Sequence, residues 1–187
     1  LVIATNHNDI LQRMVSQNDY SLGELKASLS PSMDIMVSSN FERYLFDLFD
    51  RDGEAVEKFV TALSDEQQQL PEPLLQKAQS LFSSYAVDDE TTCKVIAEIY
   101  QDTGFLLDPH TAIGVEAARR CHRNPSVPMI SLATAHPVKF ADAVKKAGLE
   151  NPALPLHMQD LFEREERYDV LDNDITAVTG YMREQLC

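Results

Sequence analysis

Three side chains that can take part in chemistry lie close together in SLATAHPVKF, residues 131–140: the hydroxyl of Thr134, the imidazole of His136 and the ammonium group of Lys139. An imidazole exchanges protons near neutral pH, and hydroxyl and ammonium groups hydrogen-bond to polar or anionic ligands. Polar residues also stand at the ends of other predicted elements: Asn6, Asn40, Arg43 and His110. Since Asn, Ser, Thr and Asp cap helices everywhere, each position alone also has a structural explanation.

Metal binding and nucleophilic hydrolysis are not favoured by the spacing of these residues. His110, Cys121, His122 and His136 do not fall at the i, i+4 or C-x-x-C spacings of zinc sites. DRDG at 50–53 has the start of a calcium loop, but the remaining ligand positions are missing. The chain has no G-x-S-x-G sequence and no glycine-rich phosphate loop. We therefore expect no metal.

The elements around SLATAHPVKF predict where its polar residues lie. Met129–Ala133 is a short apolar run typical of a buried strand, and Pro137 suits the first turn of a helix. Phe140, Val144 and Ala147 give that helix an apolar stripe. Thr134 to His136 would then occupy a strand-to-helix turn, and ligands usually bind at the carboxyl ends of parallel strands.

The rest of the chain predicts an α/β fold. LVIAT at the start is typical of a strand, and the helix after it has Ile10, Met14 and Val15 on one side. A helical insertion is predicted over about 50–104, with a clear helix beginning near Asp89 and ending at Gly104. A small-residue helix begins near His110, and 150–187 is predicted to be a C-terminal helical tail with a charged helix around FEREER.

Composition limits the partners. The 187 residues include 16 basic and 30 acidic side chains, so the net charge of −14 disfavours nucleic acid and anionic membranes. Three cysteines without a close pair fit a reducing compartment, and a cytoplasmic location is expected. The chain opens on an apolar strand without a methionine, a signal sequence or a membrane helix, so we expect a fragment. An exposed strand edge at Leu1 would favour self-association.

Four stretches in this order resemble successive motifs of the threonine synthase family: ATNHNDIL at 4–11, SLSPSMDIMVSSNFERYLF at 28–46, DPHTAIG at 108–114 and LATAHPVKF at 132–140. The resemblance covers nearly the whole chain, and the last stretch is the most specific. Threonine synthase is a fold-type II pyridoxal-phosphate (PLP) enzyme. The resemblance therefore implies the C-terminal part of such an enzyme, with a twisted, mostly parallel sheet flanked by helices.

The resemblance also implies a reaction and a cofactor. The family converts O-phospho-L-homoserine and water to L-threonine and phosphate, with PLP as the electron sink. In this fold type a serine or threonine hydroxyl meets the pyridine nitrogen, and the motif assigns that role to Thr134. His110 and His136 would lie nearby, where a histidine can orient polar groups or relay protons. The alternative for each histidine is a buried residue that caps its own helix.

The resemblance implies an anionic substrate. Arg43 and Lys139 are candidates for charge-assisted hydrogen bonds to its phosphate. Asn40 beside Arg43 and Asn6 in the first motif are further candidate substrate-binding residues, and Asn6 would shape the rim of the site. Both basic residues could equally be solvated helix residues.

Two parts of the family pattern are absent from these 187 residues. One is the lysine that forms the Schiff base with PLP, and the other is the glycine-rich loop that binds the PLP phosphate. In the family both lie in the N-terminal half of the enzyme, and Lys139 does not match that lysine. We therefore expect the isolated chain to be inactive. Two alternatives stay open: another fold-type II lyase or dehydratase, and a non-catalytic α/β interaction module.

Overall fold

A computed structural model describes residues 1–186. It contains a two-stranded parallel sheet of β1 (Val2–Thr5) and β2 (Ser83–Ala86), with Val2 opposite Ser83 and Thr5 opposite Ala86. The α-helices are α1 (Ile10–Gln17), α2 (Glu42–Leu48), α3 (Gly53–Thr61), α4 (Glu72–Leu81), α5 (Asp89–Thr103), α6 (Pro109–Cys121), α7 (Ala141–Lys146) and α8 (Ile175–Gln185). Short 3₁₀ helices cover Pro31–Met33, Ala62–Ser64, Pro137–Phe140, Leu156–Met158 and Leu161–Glu163.

The chain divides into two compact units, Leu1–Ala153 and a second that begins at Leu154. The first unit is built on the sheet, because both α1 and α6 pack against β1 and β2. The second unit contains two 3₁₀ helices and α8, and an ion pair of 2.6 Å joins Arg164 Nη2 to Asp160 Oδ1 within it. None of the helices in the described residues is long and apolar enough to cross a membrane.

Two hydrophobic clusters hold the first unit together. One is formed by α1 to α4, with Leu45 at its centre and the rings of Tyr20 and Phe59 stacked at 5.9 Å. The other is formed by α5, α6 and α7, around Ile96, Ala112 and Ala143. Small residues on α6 allow it to approach its neighbours closely. These clusters fix α6 between the sheet and α5.

Helix ends follow the local signals. Asp88 Oδ1 accepts a hydrogen bond from the Thr91 amide at 2.7 Å, and Gly104 ends α5 with φ of 74°. The predicted α-helix after Pro137 begins as a 3₁₀ turn, and its Val144 is fully buried. Ser39 and Asn40 do not cap α2, since Phe41 occupies the capping position without a side-chain hydrogen bond.

Three predicted elements differ from the structure. Met129–Ala133 is not a strand, because no neighbouring strand among residues 1–186 supplies its hydrogen bonds, and Ile130 and Leu132 are exposed. The region 50–104 is not purely helical, since β2 lies inside it and pairs with β1. The helix expected around FEREER is only a 3₁₀ turn, Leu161–Glu163. The predicted tail 150–187 includes Cys187, which lies outside the described residues.

Candidate functional site

A cavity of about 870 Å³ lies in the first unit, bordered by β1, by one face of α6 and by residues 128–132. His110, Thr134 and Lys139 all line it. The structure therefore brings together three of the residues that the sequence predicts for a site. Its remaining lining includes apolar side chains such as Phe82 and Phe140. Ligand sites commonly have this combination of apolar walls and a few polar groups.

Thr134 is placed by a hydrogen bond from α6. Its backbone amide donates to Thr111 Oγ1 at 3.1 Å, and the Thr111 hydroxyl in turn donates to Asp108 Oδ2. The Thr134 side chain itself is exposed, and its hydroxyl has no hydrogen-bond partner in residues 1–186. The hydroxyl is therefore free to meet a ligand.

His110 is held in one tautomer by its neighbours. Ser32 donates its backbone amide to His110 Nε2 at 3.2 Å, so Nε2 carries a lone pair and no proton. Nδ1 then bears the proton and donates to Asp108 Oδ1 at 2.9 Å. The ring is buried and packs against Phe140 with centroids 4.5 Å apart. In this arrangement both ring nitrogens are engaged within the chain.

Lys139 contributes a positive charge to the cavity. Its Nζ lies 5.7 Å from the centroid of the Phe140 ring, and no carboxylate of the described residues lies within 4.0 Å of it. His136 instead caps its own helix, because its Nδ1 accepts the Val138 amide at 3.2 Å. His136 is exposed and lines a separate cavity of about 340 Å³. The two histidines therefore border different cavities.

Asn6 lies in a buried polar cluster outside the cavity. Its amide donates to Ser28 Oγ at 2.8 Å, to Ser30 Oγ at 3.0 Å and to Asp34 Oδ1 at 2.7 Å. Asn8 donates to the same Asp34 oxygen at 3.0 Å. These bonds join the end of β1 to the segment that contains Ser32. Asn6 therefore supports the loop whose backbone contacts His110.

Asn40 and Arg43 are both exposed, and Arg43 Nη2 donates to Asn40 Oδ1 at 2.8 Å. Neither residue borders the large cavity. Helix α2, which contains Arg43, nevertheless lies next to the cavity, because its Tyr44 packs edge-on against the lining residue Phe82 with centroids 4.9 Å apart. The structure therefore places this pair outside the group formed by His110, Thr134 and Lys139.

Asp108 and Thr111 were not predicted as site residues, although both connect residues that were. Asp108 is 1% exposed and accepts hydrogen bonds from His110, from Thr111 and from the backbone at the start of α6. The sequence signal was the spacing D-P-H-T, which matches an aspartate N-cap followed by proline. That signal indicates a helix start and gives no indication of the contact with Thr134. No group of three or more potential metal ligands occurs in the described part of the chain.

Comparison with known proteins gives consistent matches. Residues 111–182 match the family model "Threonine synthase, C-terminal". The threonine synthase of Pseudomonas aeruginosa is 56% identical over 191 residues, a match that covers 98% of this chain and 40% of that enzyme.

Two solved structures share the fold. The PLP-bound threonine synthase from Brucella melitensis superposes with a TM-score of 0.85 at 42% identity, covering 98% of this chain and 40% of that one. Yeast threonine synthase superposes with a TM-score of 0.81 at 35% identity, covering 100% of this chain and 42% of that one. The chain is therefore a homologue of threonine synthase, and it spans about 40% of the length of the enzymes that it matches.

Proposed function

We propose that this chain supplies one side of a PLP-dependent active site that converts O-phospho-L-homoserine and water to L-threonine and phosphate. The observation that carries the proposal is the cavity that brings together the free hydroxyl of Thr134, the buried ring of His110 and the ammonium group of Lys139. Homology to threonine synthases supports the reaction. Because the chain spans about 40% of those enzymes, we propose that the isolated chain is inactive.

The residues present fit the pyridine end of PLP. A volume of about 870 Å³ is within the range of small-molecule sites, and apolar walls suit an aromatic ring. The Thr134 hydroxyl has no partner among residues 1–186 and is available to the ring nitrogen. When bound, PLP supplies an electron sink for carbanions that form on the substrate.

In this proposal the hydroxyl of Thr134 forms a hydrogen bond with the pyridine nitrogen of PLP. A hydroxyl is a neutral donor and acceptor, whereas an aspartate would hold that nitrogen protonated. We therefore infer that Thr134 orients the ring without adding a full charge. His110 acts in the same cavity as an orienting group, because both of its ring nitrogens are already hydrogen-bonded, to the Ser32 amide and to Asp108.

Lys139 is the favoured partner for the substrate phosphate. The net charge of −14 repels an anion from the molecule as a whole, so attraction must be local. Lys139 lines the cavity and has no carboxylate partner in the described chain, whereas Arg43 is bonded to Asn40 and lies outside. A lysine ammonium can form charge-assisted hydrogen bonds with phosphate.

The experiment is a chimera in which residues 1–187 replace the matching stretch of the P. aeruginosa threonine synthase. The chimera is expected to bind PLP, to release phosphate from O-phosphohomoserine and to form threonine. Release of phosphate without threonine would favour the lyase alternative. Failure of a folded chimera to bind PLP would contradict the proposal and favour the interaction module.

A charge variant tests the phosphate assignment in the same chimera. Lys139→Gln is expected to raise KM for O-phosphohomoserine, because loss of a charge-assisted hydrogen bond costs about 1.5–3 kcal/mol. Lys145→Gln, which removes an exposed charge from the last turn of α7, is the matched control. Equal KM values for the two variants would remove Lys139 from the substrate site.

A further inference from the structure

The Asp108 carboxylate joins two residues of the proposed site through its two oxygens. Oδ1 accepts the Nδ1 proton of His110 at 2.9 Å, and Oδ2 accepts the hydroxyl proton of Thr111. Asp108 is 1% exposed, so water does not compete for these bonds. Because several donors bond to this buried carboxylate, its position at the start of α6 is well defined.

The Thr111 hydroxyl links Asp108 to Thr134 by a hydrogen bond to each residue. A hydroxyl has one proton and two lone pairs. Because its proton is committed to Asp108 Oδ2, the oxygen of Thr111 presents a lone pair to the Thr134 amide, 3.1 Å away. The orientation of the bond is thereby fixed.

This bond is the main restraint that the described residues place on the segment around Thr134. Across 128–134, the amide of Thr134 is the one backbone group that hydrogen-bonds to any described residue. Ile130 and Leu132 are 80% and 75% exposed, so the described residues contribute little packing to the segment. Among the described residues, Thr111 is therefore the group that fixes the backbone of Thr134.

We propose that Thr111 is a positioning residue, which with Asp108 anchors the Thr134 backbone so that the Thr134 hydroxyl faces the cavity. This proposal rests on the proposed function for its effect on catalysis, and it makes a separate claim about the backbone. Asp108 thereby couples the placement of Thr134 to that of His110.

The variants are made in the chimera described above. Thr111→Val and Thr111→Ala remove the hydroxyl, and Thr111→Ser keeps it. Thr92→Val is the matched control, because Thr92 on α5 is also a buried helical threonine, and its hydroxyl donates to the backbone carbonyl of the capping residue Asp88. Four quantities are measured: hydrogen exchange at the Thr134 amide, the absorption spectrum of bound PLP, kcat and KM.

We expect the Thr134 amide to exchange about tenfold faster in Thr111→Val and Thr111→Ala, because a hydrogen bond is lost. kcat is expected to fall between about tenfold and a hundredfold, since small displacements of a positioning group have effects of that size. The PLP spectrum should shift, while KM for O-phosphohomoserine changes little. Thr111→Ser should restore all of these values, and Thr92→Val should leave them unchanged.

Two results would overturn the proposal. Unchanged exchange at Thr134 in Thr111→Val would show that this bond does not hold the segment. Faster exchange with an unchanged spectrum and kcat would show that the anchor does not serve the chemistry. An unsubstituted chimera that binds no PLP would instead contradict the proposed function, and exchange at Thr134 would still decide whether Thr111 anchors the backbone.

Discussion

At the scale of single residues, the functional groups differ in how far the fold constrains them. His110 is buried with both ring nitrogens bonded, whereas the Thr134 side chain and Lys139 are exposed to the cavity. A residue whose side chain contributes little to packing can be replaced without unfolding the protein. Thr134 is therefore the residue at which function and stability are most easily separated.

We predict that Thr134→Val lowers threonine formation by the chimera at least about tenfold, the effect of losing one hydrogen bond worth about 1.5 kcal/mol. Its free energy of unfolding should change by less than about 0.5 kcal/mol, because the hydroxyl has no partner within the described chain. Thr134→Ser should retain activity. Thr61→Val, an exposed threonine at the end of α3, is the control. Full turnover in Thr134→Val would exclude its hydroxyl from the site.

At the scale of elements, helix starts carry both stability and site geometry. Asp88 and Asp108 cap α5 and α6 in the same way, and only Asp108 also bonds to side chains of the site. The close approach of α6 to residues 128–132 depends on Gly114, since a Cβ added there would lie 3.0 Å from Ser131 Oγ.

The cap of α5 should make stability depend on pH. Hydrogen bonds from the Thr91 amide and hydroxyl lower the pKa of Asp88 below its ordinary value. A group whose pKa is lower in the folded state stabilises the protein above its unfolded pKa, and that contribution is lost as the pH falls through the folded pKa. At pH 7 we expect Asp88→Ala to lower the free energy of unfolding by about 1 kcal/mol. Urea denaturation measures this change.

The difference in unfolding free energy between Asp88→Ala and the unsubstituted protein should become smaller at a pH below the pKa of Asp88. At that pH the unsubstituted protein has also lost the charge of its cap. Asp88→Asn should retain most of the capping energy at every pH. Glu57→Ala removes an exposed carboxylate inside α3 and should have little effect. A loss in Asp88→Ala that is the same at pH 3 and pH 7 would contradict the assignment.

The contact between α6 and residue 131 should appear as energetic coupling. Gly114→Ala gains helix propensity of up to about 1 kcal/mol, and the contact with Ser131 Oγ reduces that gain. A double-mutant cycle of Gly114→Ala with Ser131→Ala should therefore give a coupling of about 0.5–1 kcal/mol. Ser126→Ala, in an exposed turn, should combine additively with Gly114→Ala. Additivity in both cycles would show that Ser131 moves away freely.

At the scale of the whole molecule, an apolar surface coexists with a large negative charge. β1 and β2 pair only with each other among residues 1–186, so each has an open edge, and Ile130 and Leu132 are exposed nearby at the large cavity. Open edges and apolar patches favour association, and the net charge of −14 opposes it. The degree of self-association should therefore depend on the salt concentration.

We predict that the 187-residue chain self-associates, and does so more strongly at 0.5 M than at 0.05 M salt, because screening weakens repulsion between like charges. Sedimentation velocity measures the effect. Ile130→Lys and Leu132→Lys should reduce it, whereas Leu25→Lys, exposed outside the cavity, should not. A monomer at all concentrations in both salts would contradict the prediction.

Local signals in the sequence were enough to predict several helices. The acidic cap and terminal glycine of α5, the D-P-H-T start of α6 and the apolar stripe of α7 depend on residues within one or two turns of each other. The motifs also identified the relationship to threonine synthase, which the comparisons confirm. Thr134 and His110 were predicted as site residues, and their roles stay predictions.

Contacts between segments that are distant in the sequence could be seen only in the folded chain. β2 pairs with β1 across about 80 residues, Asn6 is buried by the 28–34 segment, and Thr111 holds Thr134 from 23 residues away. The apolar run 129–133 was predicted as a strand, but a strand exists only where a neighbour completes its hydrogen bonds. Local propensity specifies a helix because its hydrogen bonds are internal, whereas strand pairing and site geometry depend on what the fold brings alongside.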